Sequence, residues 1–299
     1  MNGSESTVAA PNRHNLARDF VAWLGRRAKA PLHALARQAA RSYISGNRLH
    51  DALAVAGRLA LNRLATTVGF WDGPGDSPAA VLAAYQEGVA ALAEAKLDSY
   101  LSIKLPSLGY SPDLLGGLAT RAAESNVRLH FDALAPETVD RTWACLDDCL
   151  PDRMLIGCTL PARWRRSPAD ADWAVARGLA VRVVKGQWPD PEAPKRDPRT
   201  GYLEIIRRLA GQARHVAVAS HDLSTARQAL EILSKVNTPT SLELLYGLPC
   251  RRQIELAREM GVPVRIYVPY GSAYLPYCLA QMKRNPRIAW WLLRDAVRR

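Results

Sequence analysis

The sequence predicts a (β/α)8 barrel of the TIM type, preceded by helices at its N-terminus. Two observations indicate this fold: eight short runs rich in Val, Ile and Leu recur along the chain, and amphipathic segments of helical length separate most of them. The runs are mostly non-alternating, as expected for parallel strands that are buried on both faces. Eight strands that alternate with helices favour a closed parallel barrel.

The elements follow in chain order. We predict disorder for residues 1–12, a helical region for residues 13–60, which includes an arginine-rich helical segment at Leu16–Tyr43, and the barrel for residues 61–299. The apolar runs predict strands at Arg63–Val68, Tyr100–Leu105, Val127–Phe131, Met154–Thr159, Ala180–Val184, His215–Ala219, Thr240–Leu244 and Val264–Val268. Helical periodicity predicts helices at Ser77–Lys96, Pro136–Cys149, Pro168–Arg177, Tyr202–Arg214, Ser224–Lys235 and Cys250–Met260. A doubly wound open sheet is the alternative, but no Gly-x-Gly-x-x-Gly follows a predicted strand.

Composition narrows the function classes. The net charge is +12, but the arginines are dispersed, and the densest cluster is only Arg163, Arg165 and Arg166. A solvated surface is therefore favoured over a site for an acidic cofactor or partner. No apolar run reaches the roughly 18 residues of a membrane span, and the N-terminus does not resemble a signal peptide. Five scattered cysteines fit a reduced, cytoplasmic protein, with peripheral attachment at the inner membrane face left open. Cys145 and Cys149 share a helix face without a second ligand pair, so no metal site is predicted.

Candidate functional residues gather where predicted strands end, which is where a barrel places its site. Six of the eight strands end in or near titratable or aromatic residues. They are Lys104 after strand two, Asp132 after strand three, Lys185 to Trp188 after strand five, Ser220 to Asp222 after strand six, Glu243 in strand seven and Tyr267 in strand eight.

Seven segments in order resemble the proline dehydrogenase family, over about residues 40–290. They are Tyr43–Leu59, Ser102–Gly109, His130–Ala133, Val181–Trp188, Ala219–Asp222, Leu242–Leu248 and Arg265–Gly271. The resemblance implies a distorted (β/α)8 flavoenzyme that binds FAD at the carboxyl face of the barrel. It also implies hydride transfer from the carbon beside the substrate nitrogen to flavin N5, with the protein supplying binding, orientation and electrostatics.

On the cofactor side, the resemblance implies that Arg182 lies near flavin N5, where a cation stabilises negative charge on the reduced ring. The full set of implied cofactor contacts is Ala133, Arg182, Lys185, Gly186, Trp188, Ser220, His221, Asp222 and Glu243. Gly186 would allow close approach of the backbone. Pro161, Asp222 and Glu243 stand where the family commonly has amide side chains, which is a departure on this side of the site.

On the substrate side, the resemblance implies catalytic roles for Lys104, Asp132, Arg182, Tyr267 and Tyr277. Lys104 would bind a carboxylate, and the two tyrosines would frame the substrate ring. The family carries two consecutive arginines after the second tyrosine, with a glutamate three positions later. Here those positions hold Ala280, Gln281 and Arg284. Because arginine is the preferred partner for a carboxylate, the change predicts a substrate other than free L-proline, with Gln281, Lys283 and Arg284 as candidate substrate contacts.

The sequence therefore predicts an FAD-dependent oxidoreductase acting on the CH–NH bond of an imino acid, amino acid or related cyclic amine. Its electron acceptor would be a quinone, oxygen or a protein, and a homo-oligomer is left open. Ordinary proline dehydrogenase activity, with Lys104 and Lys283 compensating for the lost arginines, stays open as well. The alternative is a flavin-less barrel from the same family that serves as a lyase, isomerase or binding protein. A third hypothesis is a protein that binds nucleic acid or a membrane surface. It needs a basic helix, and the sequence does not show one.

Overall fold

The computed structural model describes residues 45–73, 75–149 and 156–272. Eight parallel strands pair in chain order, and β1 pairs with β8 as well as with β2, so the sheet closes. The strands are β1 (Ala65–Phe70), β2 (Ser99–Ile103), β3 (Leu129–Phe131), β4 (Ile156–Pro161), β5 (Ala180–Val184), β6 (Val216–Ala219), β7 (Thr240–Leu245) and β8 (Val264–Tyr270). The predicted (β/α)8 barrel is confirmed.

Helices surround the strands. They are α1 (Leu49–Ala60), α2 (Pro78–Ala95), α3 (Pro112–Glu124), α4 (Val139–Cys149), α5 (Ser167–Ala176), α6 (Pro198–Leu209), α7 (Leu223–Ser234) and α8 (Arg251–Glu259). The predicted helical region 13–60 contributes α1, whereas its earlier part and the predicted disorder of residues 1–12 lie outside the described residues.

Several boundaries differ from those expected. β1 lies two residues later than predicted, β4 ends two residues later than predicted, at Pro161, and β8 continues two residues further, to Tyr270. The sequence analysis also missed α3, whose tandem glycines Gly116 and Gly117 weaken the helical signal. Leu115 and Leu118 of this helix are fully buried. Packing therefore stabilises a helix that intrinsic propensity disfavours.

Three helices begin with the same local chemistry. Ser77, Ser111 and Asp197 are the N-cap residues of α2, α3 and α6, and a proline follows each of them. The cap side chain accepts a hydrogen bond from a backbone N–H in the first turn, while proline supplies a helical φ without needing a donor. These Ser-Pro and Asp-Pro pairs fix where the chain leaves a loop and enters the outer layer of the barrel.

The strands alternate between an apolar outer face and a polar inner face. In β2, Leu101 is buried against Gly88 of α2, whereas the neighbouring Tyr100 donates a hydrogen bond across the lumen to Glu243 of β7. Both faces of the strands are buried, as expected, but the two faces differ in chemistry. Some inward positions hold small non-polar residues such as Gly157 and Ala217. These residues do not interrupt the apolar runs, so the runs look continuous in the sequence.

A histidine lies inside the barrel beside a glycine. His130 of β3 stacks on Tyr100, with ring centroids 5.6 Å apart, and its Nε2 lies 3.0 Å from Oγ1 of Thr159. Burial and the nearby Arg182 lower the pKa of His130 well below its usual value, so the ring is neutral. A Cβ atom at Gly157 would lie 2.3 Å from Nδ1 of this ring, which explains why β4 has no side chain there.

Across the described ranges, no helix combines the length and the apolar character that crossing a membrane requires.

Gly157→Ala should destabilise the protein by about 1–3 kcal/mol, because the added methyl group overlaps the buried His130 ring and forces both strands to shift. The free energy of unfolding in urea measures this. Gly117→Ala is the matched control, since no atom lies within 4 Å of a Cβ at this exposed helical position. It should stabilise the protein by up to about 1 kcal/mol. Equal stability of the Gly157 variant and the parent would contradict the packing described here.

Candidate active site

The centre of the lumen holds an arginine between two carboxylates. Arg182 of β5 donates from Nε to Oε2 of Glu243 at 2.9 Å, and from Nη1 to Oδ1 of Asp132 at 2.8 Å. Its Nη2 lies 2.8 Å from Oε1 of Glu243 as an ion pair, without a well-aligned hydrogen bond. Burial lowers the pKa of Arg182, but Glu243, Tyr100 and Asp132 raise it, and the pKa ends well above its usual value. The guanidinium therefore stays charged although its side chain is buried.

Glu243 is the more deeply buried of the two carboxylates. Its Oε1 accepts a hydrogen bond from Oγ1 of Thr67 at 2.9 Å, and its Oε2 accepts one from the hydroxyl of Tyr100 at 3.1 Å. With Arg182, the donors come from β1, β2 and β5, so one carboxylate on β7 joins four strands across the lumen. Burial raises the pKa of Tyr100, and Glu243 raises it further, so this hydroxyl stays a donor.

Asp132 is the first residue after β3 and is the meeting point of the site. Its Oδ1 accepts from Oγ of Ser102 at 2.7 Å as well as from Arg182, and its Oδ2 accepts from the hydroxyl of Tyr267 at 3.1 Å. Nζ of Lys104 lies 3.9 Å from the same Oδ2. Asp132 therefore joins the other three candidate catalytic residues that the structure describes. Its side chain is 14% exposed, which leaves an edge open to a ligand.

Lys104 is the first residue after β2, and its ammonium group is almost fully buried. Nζ donates to the carbonyl oxygen of Phe70 and lies 4.6 Å from the centroid of the Trp71 ring. Burial lowers the pKa of Lys104, while Asp132 opposes the shift. The backbone N–H donates to the hydroxyl of Tyr85 at 2.9 Å, which anchors the end of the strand. An ammonium has three donors, so Lys104 can donate further to a bound anion.

Tyr267 reaches Asp132 because the strand beside it has no side chain in the way. A Cβ at Gly69 of β1 would lie 2.2 Å from the Tyr267 hydroxyl oxygen. Burial raises the pKa of Tyr267 well above its usual value, and the charge of Asp132 raises it further. The hydroxyl therefore stays protonated and donates to the carboxylate. The Tyr267 ring also lies 5.4 Å from Cζ of Arg182, so one aromatic side chain covers both charged groups.

The rim after β5 presents a cation, a glycine and an indole. Lys185 is exposed, and the side chain of Trp188 is 37% exposed. Gly186 has a φ of +86°, and a Cβ there would lie 2.8 Å from Cβ of Pro161 at the end of β4. The carbonyl oxygen of Trp188 accepts from Nε1 of the buried Trp164 at 3.1 Å, which ties this rim to the neighbouring loop.

His221 at the end of β6 uses both ring nitrogens within the protein. Its Nε2 lies 2.9 Å from the backbone nitrogen of Leu245 and accepts that N–H. The ring is therefore protonated on Nδ1, which faces the carbonyl oxygen of Pro249 at 3.4 Å. Burial lowers the pKa of His221, so the neutral ring is favoured. Its role in the described residues is to tie β6 to β7.

Asp222 and Ser220 shape the turn that follows. Asp222 is the N-cap residue of α7 and accepts from the backbone N–H of Thr225 at 2.7 Å. The side chain of Thr225, and next its backbone N–H, lower the pKa of the Asp222 carboxyl group. The charges of Arg199 and Lys185 lower this pKa further. Ser220 accepts from the backbone N–H of Asp222 at 3.2 Å. An aspartate suits this position because a helix cap needs a side-chain acceptor, which an asparagine would supply as well.

The remaining candidates divide into two groups. Ala133 follows Asp132 and is half-buried at the mouth of β3. Tyr277, Gln281, Lys283 and Arg284 lie outside the described residues, together with Ala280.

The sequence analysis missed three residues that hold the two carboxylates in place. Thr67, Tyr100 and Ser102 all donate to the two carboxylates. They occupy alternate positions of β1 and β2, and the series Tyr100, Ser102, Lys104 is itself a polar stripe with a period of two. Reading that alternation as an inward face could have found them. Within residues 45–73, 75–149 and 156–272, no three metal-ligating side chains form a metal site.

Comparisons with known proteins agree with this architecture. The family model described as proline dehydrogenase matches residues 75–279. Proline dehydrogenase 1 of Bacillus subtilis strain 168 is 26% identical over 282 residues, covering 88% of this chain and 92% of that protein. Proline dehydrogenase 2 of the same strain is 24% identical over 211 residues, covering 66% of this chain and 69% of that protein.

Solved structures of proline utilization A share the fold. The enzyme of Bdellovibrio bacteriovorus, inactivated by N-propargylglycine, has a TM-score of 0.70 and 19% identity, covering 83% of this chain and 32% of that one. The enzyme of Corynebacterium freiburgense has a TM-score of 0.67 and 17% identity, covering 92% of this chain and 34% of that one. This chain thus spans about a third of the length of these proteins.

Asp132→Asn should destabilise the protein by about 3 kcal/mol, because it leaves buried cations with one carboxylate fewer. Asp172→Asn is the control: it breaks a bidentate but half-exposed pair with Arg208 and should cost less than about 1 kcal/mol. Urea unfolding of both variants gives the two values. A cost at Asp132 as small as that at Asp172 would mean that the lumen charges do not depend on each other.

Proposed function

The chain belongs to the proline dehydrogenase family, and from this premise we propose that it is an FAD-dependent oxidoreductase that acts on a CH–NH bond. Its substrate is an imino acid, an amino acid or a related cyclic amine other than ordinary free L-proline. One observation carries the assignment of the site: Asp132 contacts Arg182 and Tyr267 and lies 3.9 Å from Lys104. Four residues that the resemblance places in the reaction thus meet at one carboxylate.

The charges at this point suit amine oxidation. The side chain of Asp132 is 14% exposed, and its carboxylate can accept the N–H of a bound amine, which orients the nitrogen. A hydride leaves only when that nitrogen is neutral. Because the site is buried, desolvation disfavours the charged form of a bound amine and so lowers its pKa. The protonated hydroxyl of Tyr267 fixes the carboxylate in this orientation.

The described rim has features that fit FAD. Lys185 and Arg199 are exposed cations near Asp222 and can bind phosphate groups. Gly186 lets backbone approach a ligand closely, and the exposed indole of Trp188 offers a face for an aromatic ring. Nη2 of Arg182 is buried and lacks an aligned partner, so it has an N–H left to donate to the ring system. When bound, FAD supplies the acceptor for the hydride that leaves the carbon beside the substrate nitrogen.

The substrate proposal rests on charge. Of the cations described in the lumen, Arg182 is held by two carboxylates and Lys104 by a carbonyl and a distant carboxylate. Little positive charge remains there for a free carboxylate group. The sequence adds Ala280 and Gln281 at the positions of the family's arginine pair. A cyclic amine without a carboxylate, or with a masked one, therefore fits better than proline.

The alternative is a barrel of this family that works without flavin, as a lyase, isomerase or binding protein. The observation in its favour is that His221, Asp222 and Glu243 already use their side chains within the protein. A quinone, oxygen or a protein as electron acceptor, a homo-oligomeric assembly and a cytoplasmic location remain predictions from the sequence.

The purified protein should be yellow, or should bind added FAD, and its flavin absorbance should bleach when a cyclic amine is added without oxygen. Lys185→Gln should raise the Kd for FAD by about tenfold, as expected for one charge-assisted hydrogen bond. Lys195→Gln, on the same loop, is the control and should leave the Kd unchanged. A colourless protein that takes up no FAD would contradict the proposal and favour the flavin-less alternative.

Ala280→Arg/Gln281→Arg should raise kcat/KM for proline at least tenfold, because two arginines can bind a carboxylate through hydrogen bonds of about 1.5–3 kcal/mol each. Pyrrolidine, which lacks the carboxylate, is the matched control substrate and should gain nothing. Flavin reduction in single-turnover mixing measures both. Efficient proline oxidation by the parent, with no gain in the double variant, would contradict the proposed substrate change.

A further inference from the structure

We propose that Glu243 is a positioning residue for Arg182: its carboxylate fixes the direction of the guanidinium and offsets its charge at the cofactor side of the site. The proposal rests on the function proposed above, because that function places Arg182 beside the flavin. The family resemblance gives residue 243 a direct contact with the cofactor. The contacts of Glu243 point to a different role.

The first argument is that the lone-pair sites of Glu243 all face partners within the protein. An ionised carboxylate only accepts hydrogen bonds, through about four lone-pair sites. Thr67, Tyr100 and Nε of Arg182 occupy three of them, and Nη2 of Arg182 lies against the fourth at 2.8 Å. The side chain is 3% exposed. Glu243 can therefore neither donate to a cofactor nor accept from one while these contacts persist.

The second argument concerns orientation. Glu243 accepts a hydrogen bond from Nε of Arg182 and lies 2.8 Å from Nη2, along one edge of the planar guanidinium, whereas Asp132 contacts Nη1 alone. Two contacts along one edge fix the plane of the group, and a single contact at Nη1 would leave it free to turn. Glu243 is itself held in place by donors from β1 and β2. The direction of Arg182 is thus set by three strands.

The third argument concerns charge. Lys104 and Arg182 are balanced by Asp132 and Glu243, so these four buried groups sum to zero. Glutamine at position 243 would leave one uncompensated positive charge in a region of low dielectric constant, where its field reaches farther than in water. A cation stabilises reduced, electron-rich flavin. It follows that Glu243 holds the reduction potential of the site below the value that Arg182 alone would give.

The positioning role can be tested without flavin. In protein labelled with 15N-arginine, the Nε–H signal of Arg182, assigned by its loss in Arg182→Lys, should exchange slowly with solvent. Glu243→Gln should speed this exchange at least tenfold. Thr67→Val, which removes a neutral donor to the same carboxylate and keeps its charge, should change it far less. Unchanged exchange in Glu243→Gln would overturn the proposal, whether or not the protein binds FAD.

The charge role is read from the flavin-loaded protein. Glu243→Gln should shift the oxidation–reduction equilibrium at least tenfold towards reduced flavin, which is about 30 mV for a two-electron couple. Thr67→Val should leave the potential unchanged. Equal shifts in both variants would overturn this part.

Glu243→Asp keeps the charge and withdraws it by one methylene. It should therefore keep the parental potential while loosening Arg182, and a shift as large as that of Glu243→Gln would count against the proposal. If no variant binds FAD, the proposed function fails, and the exchange measurement still decides the role of Glu243.

Discussion

A charged side chain inside a closed barrel must find its partners within the barrel, because water cannot reach it. The ion pairs of Arg182 with Glu243 and Asp132 meet this requirement, and much of the interior follows from them. The two buried carboxylates need hydrogen-bond donors. The donors are polar residues that face the lumen: Thr67, Tyr100 and Ser102. The apolar outer faces of the strands, packed on the helices, then have to supply the hydrophobic stabilisation that a barrel usually shares with its lumen.

The sequence predicted the fold well because its signal is local. Eight apolar runs and most of the helices between them are visible one at a time, whereas Ser111-Pro112 and Asp197-Pro198 were not recognised as helix starts. The failures are also local. α3 contains Gly116 and Gly117, and the burial of Leu115 and Leu118 against neighbouring elements offsets their low helix propensity. Strand ends shifted by two residues because side chains of similar character continue on both sides of the boundary.

The site was harder to predict because its contacts span the chain. Lys104, Asp132, Arg182 and Tyr267 were accessible from strand ends and family resemblance, and the structure brings them together. The partners of Glu243 could not be predicted in this way, because Thr67 and Tyr100 lie 176 and 143 residues away from it along the chain. Which residues face each other across a lumen depends on the stagger of all eight strands, and no single segment encodes it. The same holds for Gly69, whose missing side chain matters only because Tyr267 lies beside it.

The pairing of β1 with β8 has a consequence for how the protein folds. The two strands are joined by some of the most distant contacts in the chain: the guanidinium of Arg265 donates to the carbonyl oxygen of Thr66, 199 residues earlier. Contacts of such long range are entropically costly to form early. A sheet without β8 would lack Tyr267 against Asp132, and one without β1 would lack Thr67 against Glu243. The site is therefore complete only when the barrel closes. Before that point, a partly folded chain carries exposed, unpaired charges in place of a functional centre.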